Sequence, residues 1–224
     1  MIITLSRQLG SGGDDIAARV AAALGLTLVD REHVYRAALA AGVPGNLLQK
    51  LMYEGHSSLA AEIMDSLGGR PNEIITAPKQ APPPLLGIYA PMLPPTAVSQ
   101  EEAAGAVGLV IKDIASQGRA LILGQGAQVL LRGYVGVCHV QVVAPLELRI
   151  KRLAEREGLT AAAARRQVLN NDRARSDYLV RFHNERWLDP LLYHLVINTG
   201  PTPLDASVSL IVHAAQVIGG GGMR

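Results

Sequence analysis

The chain has 224 residues, of which 49% are apolar, and a formal net charge of +2 at pH 7. This length and composition indicate one substantial globular domain and exclude a disordered chain. The small net charge gives no reason to expect binding to nucleic acid, and no apolar run reaches the roughly 18 residues of a membrane span. Because the sequence has no recognisable secretory signal, we expect a cytoplasmic protein with no membrane partner.

Five short apolar runs predict the strands of a parallel sheet that is buried on both faces. Helical periodicity appears between them: Ile16, Val20 and Leu24 share one face of a helix that Gly25 is placed to end. Strands that alternate with helices predict a doubly wound α/β domain with helices on both faces of the sheet. In chain order, the predicted strands are Ile2–Leu5, Leu26–Val29, Ala120–Leu123, Val137–Val143 and Leu195–Asn198.

Two segments interrupt this alternation. Residues 45–99 form an insertion that is rich in proline from Gly68 onward, which disfavours helices and central strands. It is either a surface loop or, because it also carries many large apolar residues, an arm that packs on its own domain or joins two copies in a homodimer. The second segment, Leu146–Arg186, predicts a long, highly charged helical stretch. Residues 219–224 predict a flexible tail.

Several other residues are interpreted as structural. Cys138 lies in an apolar run and is predicted to be a small buried residue rather than a nucleophile. Trp187 is predicted to anchor a helix on the core. The six histidines lack metal-ligand spacing. No acid pair or Ser–His arrangement in the sequence indicates hydrolytic chemistry.

The first predicted strand leads into a glycine-rich turn and then into a helix, in "SRQLGSGGDDIAARV". Gly10, Gly12 and Gly13 allow a turn whose N–H groups, together with the positive end of the helix, favour an anion. The signature G-x-x-x-x-G-K-[ST] is not met, because Gly13 stands at the lysine position and Asp14 at the hydroxyl position. No lysine precedes Lys50.

The charged residues around this turn have two interpretations each. Asp14 and Asp15 either stabilise the first turn of the helix, or Asp14 holds Mg²⁺ through a carboxylate oxygen. Arg7 either supplies the missing cation to a phosphate or forms an ion pair with Asp14 or Asp15.

The stretch "ITLSRQLGSGGDDIAARVAAALGLTLVDREHVY" resembles the start of the cytidylate kinase-like proteins, a divergent branch of the P-loop nucleoside monophosphate kinases. Its members open with a strand, S-R-x-x-G-S-G-G and a helix, so relatives share the missing lysine, whereas Asp14 replaces an expected basic residue. The resemblance covers nearly the whole chain apart from residues 45–99. It implies a single kinase-like domain over residues 1–224 with the P-loop NTPase fold. It also implies that ATP and Mg²⁺ bind at Gly10, Ser11, Gly12, Gly13 and Asp14.

Further stretches extend the resemblance to the acceptor side. "VDREHVYRAALAAG" is similar to the D-x-x-x-x-Y-R segment at which cytidylate kinases dock the nucleoside monophosphate. This implies acceptor roles for Asp30, Tyr35 and Arg36, with Arg36 on the acceptor phosphate; on spacing alone, Arg36 could equally be a helix-surface arginine. "RALILGQGAQVLL" resembles the third strand, where Gln125 replaces the family's arginine with an uncharged amide.

The last resemblances concern the lid and the adenine loop. "VQVVAPLELRIKRL" and "DRARSDYLVRF" are similar to the fourth strand and the lid, and "LVINTG" to the fifth strand and its adenine-cradling loop. They imply an arginine-rich lid over residues 160–186. The lid candidates are Asp172, Arg173, Arg175 and Arg181. Of these, Arg173 and Arg175 are candidates for catalysis and Arg181 for substrate binding. Outside the lid, Arg7 and Arg36 are further catalytic candidates.

The resemblance implies transfer of the γ-phosphoryl group of ATP–Mg²⁺ to a nucleoside monophosphate, CMP or dCMP. Two alternatives remain. The missing lysine, Asp14 and Gln125 favour a nucleotide-binding or assembly protein with little or no catalysis on the same fold. The unmatched residues 45–99 leave room for a kinase that acts on another small molecule.

Overall fold

A computed structural model describes residues 1–46, 48 and 99–220 of the chain. Nearly all of the predicted proline-rich arm, with its possible dimer contact, lies outside these residues. Of the predicted tail, Gly219 and Gly220 are described, and they form the end of the last helix. These two residues are therefore helical and not part of a flexible tail, and residues 221–224 lie outside the described residues.

The strands form one parallel sheet in the order β2-β3-β1-β4-β5. The bounds predicted for β3, β4 and β5 are confirmed, while β2 begins one residue later than predicted. Strand β1 continues to Arg7 because Ser6 and Arg7 pair with Gln141 and Val142 of β4. The apolar pattern missed these two residues because they are polar. The observed strands are β1 (Ile2–Arg7), β2 (Thr27–Val29), β3 (Ala120–Leu123), β4 (Val137–Val143) and β5 (Leu195–Asn198).

Helices connect the strands, and Gly25 ends the first of them in a left-handed conformation, as predicted. The helical stretch predicted from Leu146 is present as two helices. Gly158, at φ 65°, ends one helix there, and Thr160 begins the next by accepting a hydrogen bond from the Ala163 N–H at 3.2 Å. The described helices are α1 (Gly13–Leu24), α2 (Arg31–Ala40), α3 (Gln100–Gln117), α4 (Ala127–Leu130), α5 (Leu146–Glu157), α6 (Ala161–His183) and α7 (Leu204–Gly220).

Alternate residues of β1 face two separate apolar layers. Ile3 and Leu5 pack among residues of α1 and α7, whereas Ile2 packs among residues of α2 and α3 on the other side. The doubly wound prediction is therefore confirmed, and a five-stranded parallel sheet with a glycine turn after its central strand agrees with the P-loop NTPase fold that the resemblance implies. Cys138 is buried as predicted, and burial raises the pKa of its thiol to about 11.

Crossing a lipid bilayer demands a helix that is both long and apolar. Within the described part of the chain, no helix combines these two properties.

Candidate active site

The glycine turn lies at the carboxyl edge of the sheet, where parallel α/β folds place their ligands. Gly10 and Gly12 both adopt left-handed conformations, with φ of 78° and 82°. Gly10 also packs flush against α5: a Cβ atom at this position would lie 2.5 Å from the backbone oxygen of Arg149. Glycine is therefore required at position 10 by both conformation and space.

Hydrogen bonds to the carbonyl oxygen of Ser11, which we call the clamp, fix the position of the turn. The carbonyl oxygen of Ser11 accepts hydrogen bonds from Thr199 Oγ1 at 2.6 Å and from Arg152 Nη1 at 3.2 Å. Arg152 Nη2 also donates to the carbonyl oxygen of Thr199 at 3.1 Å. The clamp joins the glycine turn to α5 and to the loop after β5, so these three segments are positioned together. Sequence reasoning missed Arg152, whose partners are distant in sequence.

Arg7 forms an ion pair with Asp14, which is one of its two predicted interpretations. Arg7 Nε lies 2.9 Å from Asp14 Oδ1. The same guanidinium reaches the turn after β3, since a Cβ atom at Gly124 would lie 2.9 Å from Arg7 Nη1. Arg175 of α6 donates a hydrogen bond to the carbonyl oxygen of Arg7. Arg7 thus connects the glycine turn to β3 and α6.

Asp14 is the residue that the sequence proposes as a ligand of Mg²⁺. Among the described residues, no group of three or more His, Cys, Asp or Glu side chains could hold a metal ion. Asp14 offers one carboxylate, and its side chain is 45% exposed. In phosphoryl-transfer sites Mg²⁺ is usually bound by one or two carboxylates together with substrate phosphates. Asp14 offers one such carboxylate, whose Oδ1 already lies 2.9 Å from Arg7 Nε.

A cavity of about 70 Å³ opens at the same edge of the sheet. Among the described residues, three guanidinium groups line it, those of Arg7, Arg31 and Arg175. The turn after β3 contributes Gln125, which has a left-handed φ of 60°. The volume corresponds to a few water-sized groups. The cavity therefore combines positive charge with room for a small anion.

The pKa of Arg175 is affected by burial and by the charged residues around the cavity. Burial is the main cause that lowers the pKa of its guanidinium, to about 9, and the positive charge of Arg7 acts in the same direction. The charge of Arg31 adds to this, while Asp14 partly opposes it. Positive charges that repel one another in a partly desolvated site are stabilised by an anion.

The wall of the cavity is fixed by Trp187. Its indole Nε1 donates a hydrogen bond to Ser6 Oγ at 2.8 Å, and its backbone oxygen accepts one from the Tyr193 hydroxyl at 2.7 Å. Trp187 also packs against Leu179 of α6, as predicted for a core anchor. The sequence did not predict that Trp187 also lines the cavity.

Of the residues predicted for the acceptor, Gln125 lines the cavity, whereas Asp30, Tyr35 and Arg36 lie at the start of α2 or on it and are absent from the lining. Asp30 caps α2: its Oδ1 accepts from the His33 N–H at 3.0 Å. Burial opposes ionisation of Asp30, but its hydrogen bonds with His33 lower its pKa overall. Tyr35 packs on the core. Arg36 Nε lies 3.0 Å from Glu32 Oε1, in the geometry of a helix-surface arginine.

The predicted lid arginines differ in position. Arg175 lines the cavity, whereas Arg173 is exposed on α6. Arg181 pairs with Glu101 at 3.2 Å and lies over the Phe182 ring. The structure therefore brings Arg7, Gln125 and Arg175 together. It adds Arg31, which sequence reasoning missed although it follows the carboxyl end of β2 by two residues.

Comparisons with known proteins agree with this architecture. The model of a family described as cytidylate kinase-like matches residues 2–201. A uronate isomerase from Corynebacterium glutamicum is 33% identical over 102 residues, which are 46% of this chain and 20% of that protein. The chain thus spans about a fifth of that relative's length.

Two solved structures are similar to the chain. An uncharacterized protein from Eubacterium ventriosum has a TM-score of 0.63 and 16% identity, with 96% of this chain and 98% of that one covered. Shikimate kinase from Acinetobacter baumannii, in complex with shikimate, has a TM-score of 0.44 and 14% identity, with coverage of 100% and 95%. At 16% identity, the first of these supports a shared fold alone.

Proposed function

This chain belongs to the cytidylate kinase-like family, and from that premise we propose that it transfers the γ-phosphoryl group of ATP–Mg²⁺ to a nucleoside monophosphate. CMP and dCMP are the first acceptors to test, because the family bears their enzyme's name. The family and the fold together support a kinase that acts on a nucleotide or another small molecule.

One observation carries the proposal: the glycine turn and the guanidinium-lined cavity adjoin each other through Arg7. The backbone of Arg7 leads into the turn, and its side chain lines the cavity. Phosphoryl transfer requires a donor and an acceptor phosphate held in line, with their negative charge neutralised. A turn that favours anions beside an arginine-rich cavity meets both requirements.

The reaction assigns a role to each group. The backbone of Gly10–Gly13 binds the donor phosphates, and Asp14 is the carboxylate that would hold Mg²⁺, which supplies charge neutralisation when bound. An acceptor oxygen attacks the γ-phosphorus while the bond to the leaving ADP oxygen breaks. Arg7 and Arg175 stabilise the negative charge that is spread over the transferred group.

The remaining predicted residues belong to the acceptor and to the lid. The resemblance proposes that Asp30, Tyr35, Arg36 and Gln125 contact the acceptor. Helix α6 is proposed as the lid that excludes water from the reaction. Because Arg173 and Arg181 do not line the cavity, their proposed contact with the nucleotide requires a movement of α6.

A second function is favoured by specific observations: nucleotide binding without turnover. Arg7 Nε already pairs with Asp14 at 2.9 Å, the turn has no lysine, and Gln125 brings an amide where relatives bring a charge. Loss of one charge-stabilising contact typically costs about 3 kcal/mol of transition-state stabilisation. Two uncompensated losses would leave a very slow enzyme.

Turnover distinguishes these two functions. The protein is incubated with ATP–Mg²⁺ and, separately, CMP, dCMP, UMP, AMP and GMP, and nucleoside diphosphate is quantified. We expect product with at least one pyrimidine monophosphate, loss of product in Arg175→Ala, and retention of product in Arg166→Ala, which removes an exposed arginine from the same helix. ATP binding without product from any acceptor supports the binding function instead.

A further inference from the structure

A second cavity lies at the edge of the sheet opposite to the glycine turn. Gly136 and His194 stand directly before β4 and β5, and both line this cavity. Strand β4 has seven residues and therefore separates the two edges of the sheet by about 20 Å. The amino-edge cavity, as we call it, has a volume of about 250 Å³ and opens beside the exposed side chains of Tyr134 and Leu191. The proposed kinase reaction makes no use of it.

Aromatic rings are concentrated in the lining of the amino-edge cavity. Two of the six tyrosines and two of the six histidines of the chain line it, namely Tyr134, Tyr193, His139 and His194. The imidazoles of His139 and His194 are stacked, with centroids 5.0 Å apart and an angle of 11° between their planes. Aromatic rings prefer stacked or edge-to-face contacts with other rings. The lining therefore favours a planar aromatic ligand.

Three of these rings are held in place by hydrogen bonds. The Tyr193 hydroxyl donates to the backbone oxygen of Trp187 at 2.7 Å. His139 Nδ1 lies 2.8 Å from Thr4 Oγ1, and the His139 backbone N–H donates to His194 Nδ1 at 2.9 Å. The wall of the amino-edge cavity is thus preorganised, which lowers the entropic cost of binding a ligand.

The hydrogen bond to His194 also determines which nitrogen of this ring can donate. Because Nδ1 accepts the backbone N–H of His139, the neutral imidazole carries its proton on Nε2. His194 is an exposed residue in the lining of the amino-edge cavity. It therefore offers an N–H donor to an acceptor atom of a ligand.

The charges beside the amino-edge cavity are balanced. Among the described residues of its lining, Arg132 is the one with a permanent charge, and its Nη2 lies 2.6 Å from Glu185 Oε1. Burial lowers the pKa of His139 to about 4, so this imidazole is neutral at pH 7. A lining whose charges are already paired favours an uncharged ligand over an anion.

The volume of the amino-edge cavity indicates the size of the ligand. In another protein, an apolar cavity of about 150 Å³ binds benzene, a single ring. A cavity of about 250 Å³ therefore suits two fused rings, with about ten heavy atoms.

We propose that the amino-edge cavity is a second ligand site, which takes an uncharged, planar, bicyclic aromatic heterocycle of the size of a purine base. The ligand stacks against Tyr134 and the paired imidazoles, and one of its ring nitrogens accepts a hydrogen bond from His194 Nε2. This inference is independent of the proposed kinase function, because the amino-edge cavity and the arginine-lined cavity share no described lining residue.

Benzimidazole and indole are a matched pair of probes for this site. Both are flat bicyclic rings of the same size, but benzimidazole has an acceptor nitrogen and indole has none. Each probe is titrated into the protein and followed by nuclear magnetic resonance, with and without excess ATP–Mg²⁺. We expect benzimidazole to bind more tightly than indole, with an affinity that ATP–Mg²⁺ leaves unchanged.

Three variants locate the bound probe. In Tyr134→Ala we expect the affinity for both probes to fall roughly fivefold or more, because a stacking surface is lost. In His194→Phe the ring is kept and the donor is removed, so benzimidazole affinity falls to that of indole. His213→Phe, which changes an exposed histidine of α7, is the matched control and binds both probes as the wild type does.

Several outcomes would overturn the inference. It is wrong if neither probe binds the wild type, or if Tyr134→Ala and His194→Phe both bind the probes normally. Displacement by ATP–Mg²⁺ would place the probe in the proposed nucleotide site instead. A dimer that dissociates in Tyr134→Ala, seen by sedimentation without any probe binding, would show that this face joins two copies of the chain. Equal binding of benzimidazole and indole that Tyr134→Ala weakens would support the stacking site and contradict the role of His194. Thermal melting shows whether each variant is folded.

Discussion

At the scale of single residues, the two left-handed glycines of the turn have different surroundings. A Cβ atom at Gly10 meets the backbone oxygen of Arg149 at 2.5 Å, whereas one at Gly12 meets the end of the Leu204 side chain at 2.9 Å. A side chain can move and a helix backbone cannot. We therefore expect Gly10→Ala to lower the free energy of unfolding by more than about 2 kcal/mol, and Gly12→Ala by about 1 kcal/mol.

Urea denaturation of the two glycine variants checks this difference. Both substitutions add the same methyl group to a residue in the same backbone region, so Gly12→Ala is the matched control. Equal destabilisation would mean that the contact between Gly10 and α5 does not constrain the turn.

Another residue-scale effect concerns the buried histidine of β4. His139 is 5% exposed, and its Nδ1 lies 2.8 Å from Thr4 Oγ1. Burial, followed by the nearby His194, lowers the pKa of His139 to about 4 from the ordinary 6.5. Below pH 6.5 the unfolded chain therefore binds a proton that the folded chain does not, so the free energy of unfolding falls as the pH falls toward 4.

The size of this effect is measurable between pH 7 and pH 5. We expect His139 to contribute a loss of about 2 kcal/mol over this interval. Urea denaturation of the wild type and of His139→Gln at both pH values isolates the histidine, since the carboxylates titrate in both proteins. An equal loss in the two proteins would show that His139 is not the group that titrates.

Site prediction from sequence was limited by contacts that only the fold creates. Arg7 and Arg175 were identified because they belong to recognisable local motifs. Arg152 and Trp187 reach the site through neighbours that are distant in sequence, Ser11 for Arg152 and Ser6 for Trp187. No local pattern encodes these partnerships.

At the scale of elements, two ion pairs join α5 to α6 in different environments. Arg149 is almost fully buried and binds Asp172 with both carboxylate oxygens. Arg165 and Glu147, 2.7 Å apart, form an exposed pair between the same helices. A buried charge that loses its partner is costly, whereas an exposed one remains solvated.

We therefore expect Asp172→Ala to lower the free energy of unfolding by about 3 kcal/mol. Glu147→Ala, which breaks the exposed pair, is expected to cost less than about 1 kcal/mol. Urea denaturation of both variants measures this contrast. Similar small losses would mean that Asp172 is dispensable for docking α6 on α5.

Element prediction succeeded where burial follows a simple pattern. Strands β3, β4 and β5 were predicted to the residue because each is a compact, mainly apolar run between helices. The end of β1 was missed because Ser6 and Arg7 are polar, although they remain paired with β4. The break at Gly158 was not predicted, although a glycine followed by a threonine is the local signal that ends one helix and begins the next.

At the scale of the whole molecule, the sheet order places the proposed donor and acceptor sites together. Strand β1 lies at the centre of the sheet, with β3 on one side and β4 on the other. The glycine turn and the arginine-lined cavity both begin at its carboxyl end. Because both sites begin where β1 ends, the glycine turn lies beside three guanidinium groups although it has no lysine.

The central claim is that the two sites bind two different nucleotides and act on each other. The most direct measurement is calorimetric titration of ATP–Mg²⁺ into the wild-type protein with and without saturating CMP. Our account predicts that ATP binds and that its affinity changes when CMP is present, because the two sites share Arg7. If neither ATP nor CMP binds, the account is contradicted.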